Sequence, residues 1–122
     1  MFEKVFEMGM LFDFYGKLLS DTQYTVVELY YIHDLSLSEI AEDLKISRQG
    51  VHDALKRAEN NLYSFEEKLG LVKKFENNKT KTRDILKYID EISKKAIELN
   101  DCTIDENIEN IRRTVLGILE TS

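Results

Sequence analysis

From Val51 onward the apolar residues keep a strict rhythm: Val51, Leu55, Ala58, Leu62, Phe65, Leu69 and Val72 follow at steps of 4, 3, 4, 3, 4 and 3. Only a helix lays residues so spaced along one stripe, and three unbroken heptads of a and d positions ask for a helical partner against that stripe. The same sawtooth returns twice, in Ile85, Ile89, Ile92, Ala96 and Leu99 and again in Ile104, Ile108, Ile111, Val115 and Ile118. Proline is absent from all 122 residues and glycine occurs five times, too little punctuation for a sheet-rich domain of this size. The fold class is all-α.

Composition narrows the functional classes. With 43% hydrophobic residues the chain can build a core, so global disorder is excluded. A net charge of −6 argues against a polycation that coats nucleic acid through charge alone. A single cysteine allows no internal disulfide and no cysteine-rich zinc site. No run approaches the roughly 20 apolar residues that a membrane-spanning helix needs, so no membrane insertion is expected. The first ten residues lack the basic segment and small-residue cleavage site of a secretory signal, and the expected compartment is the cytoplasm.

The spacing predicts a first helix from residue 2 or 3 to 19, with Val5, Met8, Leu11, Phe12, Tyr15, Leu18 and Leu19 on its apolar side. Ser20 and Asp21 cap a second helix over 22–32, whose core side chains are Val26, Leu29 and Tyr30. Ser36-Leu37-Ser38-Glu39 reads as a capping box that opens a short third helix over 37–44. After a tight turn at Lys45-Ile46, Ser47 caps a long fourth helix reaching about residue 75, roughly 40 Å at 1.5 Å per residue. Gly70 is a weak point near its end, where a helix boundary is the alternative; 77–80 reads as a loop, and 100–103 separates two C-terminal helices. The expected organisation is a helix-turn-helix domain over 1–75 and a C-terminal helical hairpin over 76–122. That hairpin would fold back along the fourth helix or along a second copy of it.

Residues 36–58 meet the physical demands of a helix-turn-helix. The small Ala41 lets the second helix cross closely, Lys45 occupies the turn, Ile46 plugs it, and Val51 packs one turn into the second helix. Leu44 and Leu55 complete the small core. Glycine often fills the turn position because of its left-handed conformation; Lys45 there costs ~1 kcal/mol. A fourth helix entering a major groove would read bases with its first turns. Arg48, Gln49, His52, Asp53 and Lys56 lie off the Val51–Leu55 side: Arg48 suits a bidentate pair with guanine, and Gln49 suits adenine. Lys45, Lys56 and Arg57 suit phosphates, and Ser47 joins them at the helix start. Residues 47–58 carry net +2, so the rest of the chain carries −8. With about three phosphate contacts per protomer the salt slope is only about −3, so duplex binding would be modest and need a dimer. Leu55, Leu62, Phe65 and Leu69 are the candidate dimer or bundle interface, and the heptads together with the aromatic first helix point to a homodimer. Tri-helical units also serve as protein-docking modules, so docking stays open beside DNA binding.

Other chemistry is poorly supported. His33 and His52 have no neighbours at metal-ligand spacing, and Cys102 has no CxxC partner. Glu66/Glu67, Asp90/Glu91 and Asp105/Glu106 are sequence neighbours and so fall on different helix faces. No Gly-rich phosphate loop is present, and no cofactor is expected.

Two stretches carry a resemblance. Leu11-Phe12-Asp13-Phe14-Tyr15-Gly16-Lys17-Leu18-Leu19-Ser20-Asp21-Thr22-Gln23 is followed by Glu28-Leu29-Tyr30-Tyr31; then come Leu35-Ser36-Leu37-Ser38-Glu39-Ile40-Ala41-Glu42 and Ile46-Ser47-Arg48-Gln49-Gly50-Val51-His52-Asp53. Over about residues 8–75 this resembles the YlxM family of small bacterial helix-turn-helix proteins, which look like region 4 of bacterial sigma factors. The resemblance implies a sigma-region-4-like head, while the long fourth helix and the C-terminal helical hairpin rest on the hydrophobic periodicity, since roughly the last 45 residues match only as helical pattern. It implies a non-enzymatic regulatory or accessory role in protein targeting by the signal recognition particle, touching the particle's GTPase or its RNA. The alternative expectation is a sequence-specific transcription regulator on duplex DNA. By position, Arg48, Gln49, His52 and Lys56 carry over as the nucleic-acid-facing set.

Overall fold

The computed structural model describes residues 2–121, and these fold as helices joined by short turns. Helix α1 (Phe2–Tyr15) ends in a 3-10 turn, α2 (Asp21–Val27) runs on into a widened turn over Glu28–Ile32, and α3 (Leu37–Leu44) precedes α4 (Arg48–Leu69). Helices α5 (Leu71–Leu99) and α6 (Cys102–Thr121) complete the chain. It divides into two compact units, Met1–Val72 and Lys73–Ser122. No helix of the described residues is long and apolar enough to cross a membrane.

The first unit, the head, is built around the seam of α4. Val51, Ala58 and Leu62 are fully buried and Leu55 nearly so, against Met8, Leu11 and Tyr15 of α1, Val26 and Val27 of α2, and Ile40 of α3. The capping box at Ser36 forms as expected: Glu39 N donates to Ser36 Oγ and Ser36 N to Glu39 Oε1, both at 3.1 Å. Ser20 caps α2 by accepting from Gln23 N at 3.2 Å. Val27 is as buried as Val26, while Leu29 and Tyr30 are only partly covered. The first helix stops at Tyr15 rather than Leu19. Gly16 is buried there, and a Cβ on it would come 2.9 Å from the Phe12 ring.

The fourth helix ends at Leu69, not near residue 75. Gly70 takes a left-handed conformation (φ +62°) and returns its N–H to Glu66 O at 2.8 Å, which is how a helix commonly terminates. A second helix starts at once. Tyr15 Oη accepts from Leu71 N at 3.0 Å and Glu66 Oε1 accepts from Val72 N at 3.0 Å, so side chains of α1 and α4 cap α5. Residues 77–80 are helical, not a loop. They hold neither Gly nor Pro, and the Thr80 and Thr82 hydroxyls donate to the Glu76 and Asn78 carbonyls one turn back. The break at 100–103 narrows to Asn100 and Asp101. Asn100 is left-handed (φ 55°), and Asp101 Oδ1 caps α6 by accepting from Thr103 N at 3.0 Å. Cys102 is therefore the first residue of a helix, and it is exposed.

The second unit is an antiparallel pair. Ile89 of α5 packs with Ile108 and Val115 of α6, and Arg112 Nη1 lies 3.1 Å from Asp90 Oδ1 across the two helices.

Candidate nucleic-acid interface

The interface is set by the turn between α3 and α4. Lys45 adopts φ 57° and ψ 42°, and Ile46 N donates to Ala41 O at 3.1 Å. This is the left-handed turn that a helix-turn-helix requires, reached without glycine. Ser47 is extended and its Oγ accepts from Gly50 N at 2.9 Å, so its hydroxyl serves the helix start. Ile46 plugs the turn incompletely, with 42% of its surface exposed. Val51 and Leu55 beneath it are buried, and their burial fixes which side of α4 meets solvent.

Cations are exposed around the start of α4, though not all on one side: Arg48 and Arg57, nine residues apart, lie about 180° from one another around the helix. Arg48, Lys56 and Arg57 are exposed on α4, and Lys45 is exposed on the turn. None of the four makes an ion pair or a side-chain hydrogen bond among the described residues. Gln49 and His52 are less free. Gln49 Nε2 donates to Asp53 Oδ1 at 3.0 Å, and His52 Nδ1 sits 3.6 Å from the same oxygen. Asp53 thus holds one of the expected base-reading side chains, Gln49, while the His52 Nδ1 beside it makes no hydrogen bond. The i, i+4 spacing of Gln49 and Asp53 was the sequence signal for it.

The expected interface residues divide. Leu55 and Leu62 lie inside the head's own core and Phe65 packs against that core, whereas Leu69 is 55% exposed. The α4 seam is therefore filled by α1, α2 and α3, and a second copy has no access to Leu55 or Leu62.

Sequence reasoning missed Glu59. It is buried, accepting from Tyr31 Oη at 3.1 Å with Lys4 Nζ at 3.5 Å. Burial and the neighbouring Glu59 carboxylate push the Tyr31 hydroxyl well above its ordinary pKa. Burial also raises Tyr15, with Glu66 adding to it, and raises Tyr63, whose hydroxyl donates to Glu7 Oε2 at 3.1 Å. These pairs tie α1 and the end of α2 to α4, and so hold the exposed start of α4 on a fixed base.

A capped α3, a left-handed turn and a second helix presenting unpaired cations define a helix-turn-helix protein. The chain belongs to the UPF0122 family of YlxM / p13 like helix-turn-helix proteins, which it matches over residues 2–111. It is 46% identical over 107 residues to a UPF0122 protein of Acetivibrio thermocellus, covering 88% of this chain and 92% of that one. A UPF0122 protein of Caldanaerobacter subterraneus is 56% identical over 82 residues, covering 67% of this chain and 70% of its own. One from Listeria welshimeri is 50% identical over 76 residues, covering 62% and 69%.

Proposed function

We propose that this chain is a non-enzymatic regulatory protein of the cytoplasm that binds duplex DNA through the start of α4. The observation that carries this is the set of four exposed cations, Lys45, Arg48, Lys56 and Arg57, left without anionic partners on an otherwise acidic chain. Unpaired cations on the first turns of a second helix are what phosphate contact and guanine recognition need. B-form DNA opens a major groove wide enough for a helix, whereas the major groove of duplex RNA is too deep and narrow to be read by side chains. Arg48 is assigned to a base edge; Lys45, Lys56 and Arg57 are assigned to phosphates. Gln49 engages a base only after leaving Asp53. About three phosphate contacts per protomer give weak binding, so the active species is a homodimer on two half-sites.

A second reading is favoured by the acidity of the head, where residues 1–35 carry net −4. Such a surface suits docking to a basic RNA-binding protein, and the resemblance noted above points to the signal recognition particle GTPase or its RNA.

Two experiments separate the readings. Selection from a random duplex library should enrich one sequence, and Arg48→Ala should abolish its preferred binding. Affinity capture from lysate, with and without nuclease, should lose its DNA on digestion. Recovery of the targeting GTPase in both halves, with no enriched duplex, would retire the DNA-binding reading in favour of the docking one.

A further inference from the structure

The second unit buries only half of its apolar pattern. Ile89 and Ala96 of α5 and Ile108 and Val115 of α6 are covered. The alternate heptad positions are not: Ile85 is 45% exposed, Ile92 51%, Ile111 48% and Ile118 49%, with Leu99 more open still. At 3.6 residues per turn, Ile85, Ile92 and Leu99 lie about 40–80° to one side of Ile89 around α5. Ile104, Ile111 and Ile118 lie about 40–80° to the same-handed side of Ile108 around α6. In an antiparallel pair, equal offsets of the same hand bring both stripes to one side of the hairpin. The Arg112–Asp90 ion pair, on the opposite hand of both helices, marks the other side. The hairpin therefore presents one continuous aliphatic face, two stripes wide.

We infer that this face is a homodimerisation surface, on which a second copy of the hairpin packs antiparallel to complete a four-helix bundle. Three observations select a second copy. Both stripes have the same heptad spacing, so two such faces offer each other matching rows of a and d residues. The unit has no net charge but is polarised: Lys73, Lys74, Lys79, Lys81, Arg83 and Lys87 face only Glu76 and Asp84 in the first part of α5. Around the turn, Glu98, Asp101, Asp105, Glu106 and Glu109 outnumber Lys94 and Lys95, so residues 94–109 carry net −3. Antiparallel pairing sets the basic base of one hairpin beside the acidic tip of the other, whereas parallel pairing sets acid on acid. Finally, a face about 30 Å long and two helices wide covers on the order of 600 Å² per partner, or roughly 1,200 Å² over both, above the roughly 1,000 Å² total expected of a specific interface. The α4 seam is already filled, so this is a different surface from the one the heptads of α4 suggested. It does not depend on DNA binding.

The test uses the full chain. Sedimentation should show a dimer at micromolar concentration. Ile92→Glu combined with Ile111→Glu should weaken dimerisation about 100-fold or more, because each charge would be buried unpaired. Both positions are solvated in the single chain, and unchanged helicity by circular dichroism checks the fold. Phe6→Glu on the exposed side of α1 should leave the dimer intact. A measurement without substitution settles orientation: a spin label on the native Cys102, at the hairpin tip, should report about 30 Å or more between copies. A monomeric native chain, a dimer indifferent to the double substitution, or a dimer lost in Phe6→Glu would overturn the proposal. So would a label distance below about 20 Å, which puts the tips together.

Discussion

Tyr15 Oη and Glu66 Oε1, 51 residues apart in the chain, share a 2.6 Å hydrogen bond at the point where α4 gives way to α5. Tyr15 donates to the carboxylate while accepting from Leu71 N, and the same carboxylate oxygen accepts from Val72 N. One α1 side chain and one α4 side chain thus do for α5 what Ser36 does for α3. Tyr15→Phe removes both the donor and the acceptor and leaves the Leu71 amide uncapped. It should cost ~1–2 kcal/mol, read as a lower urea midpoint at unchanged slope.

Lys45 holds the left-handed turn at φ 57° with a side chain that disfavours it. Lys45→Gly should stabilise the head by ~1 kcal/mol in thermal or urea unfolding. The same change removes a cation from the proposed interface, so duplex affinity should fall as stability rises. Loss of stability would show that the turn relaxes in solution.

Gly70 tests the opposite case. Its φ is +62° and a Cβ there would meet nothing within 4 Å, so any penalty comes from the backbone alone. Gly70→Ala should destabilise by ~1 kcal/mol without altering duplex binding. A neutral result would mean that α4 and α5 can join as one continuous helix.

Alkaline pH should unfold the head early. Tyr15, Tyr31 and Tyr63 all have hydroxyls raised above their ordinary pKa. A raised folded pKa favours the protonated form, so the stabilisation is complete below the unfolded value near 10 and is lost as pH climbs through the folded values. Urea midpoints should hold from pH 7 to 9 and drop above 10, and Tyr31→Phe should shrink that drop.

Much of the head was legible from short-range rules. The Ser36 capping box, the strained turn at Lys45 and the burial of Val51, Leu55, Ala58 and Leu62 each follow from residues within a few turns of one another. The sequence places the end of α4 near residue 75, with Gly70 as the alternative boundary, because Val72 keeps the hydrophobic register across Gly70. Periodicity records which side is apolar, not whether the backbone stays continuous. Residues 77–80 misled for the related reason that Asn and Thr favour turns yet satisfy themselves within a helix when nothing forces a break. The Tyr15–Glu66 and Tyr31–Glu59 pairs span 51 and 28 residues and leave no local signal. In the site, the cations were found by type and position, while the hold of Asp53 on Gln49 was signalled only by an i, i+4 spacing and fixed by side-chain geometry. The pattern also assigned the α4 seam to a dimer or a bundle equally, because it cannot say what a stripe packs against.

The proposed DNA binding depends above all on the start of α4 meeting phosphate and base. Its most direct test is the salt dependence of duplex binding by the full chain and by Lys56→Ala and Arg57→Ala. Binding should weaken with a log–log slope of about −3 per protomer, and each substitution should make the slope shallower by about 1. No binding at low salt, or a slope that neither substitution changes, would contradict it.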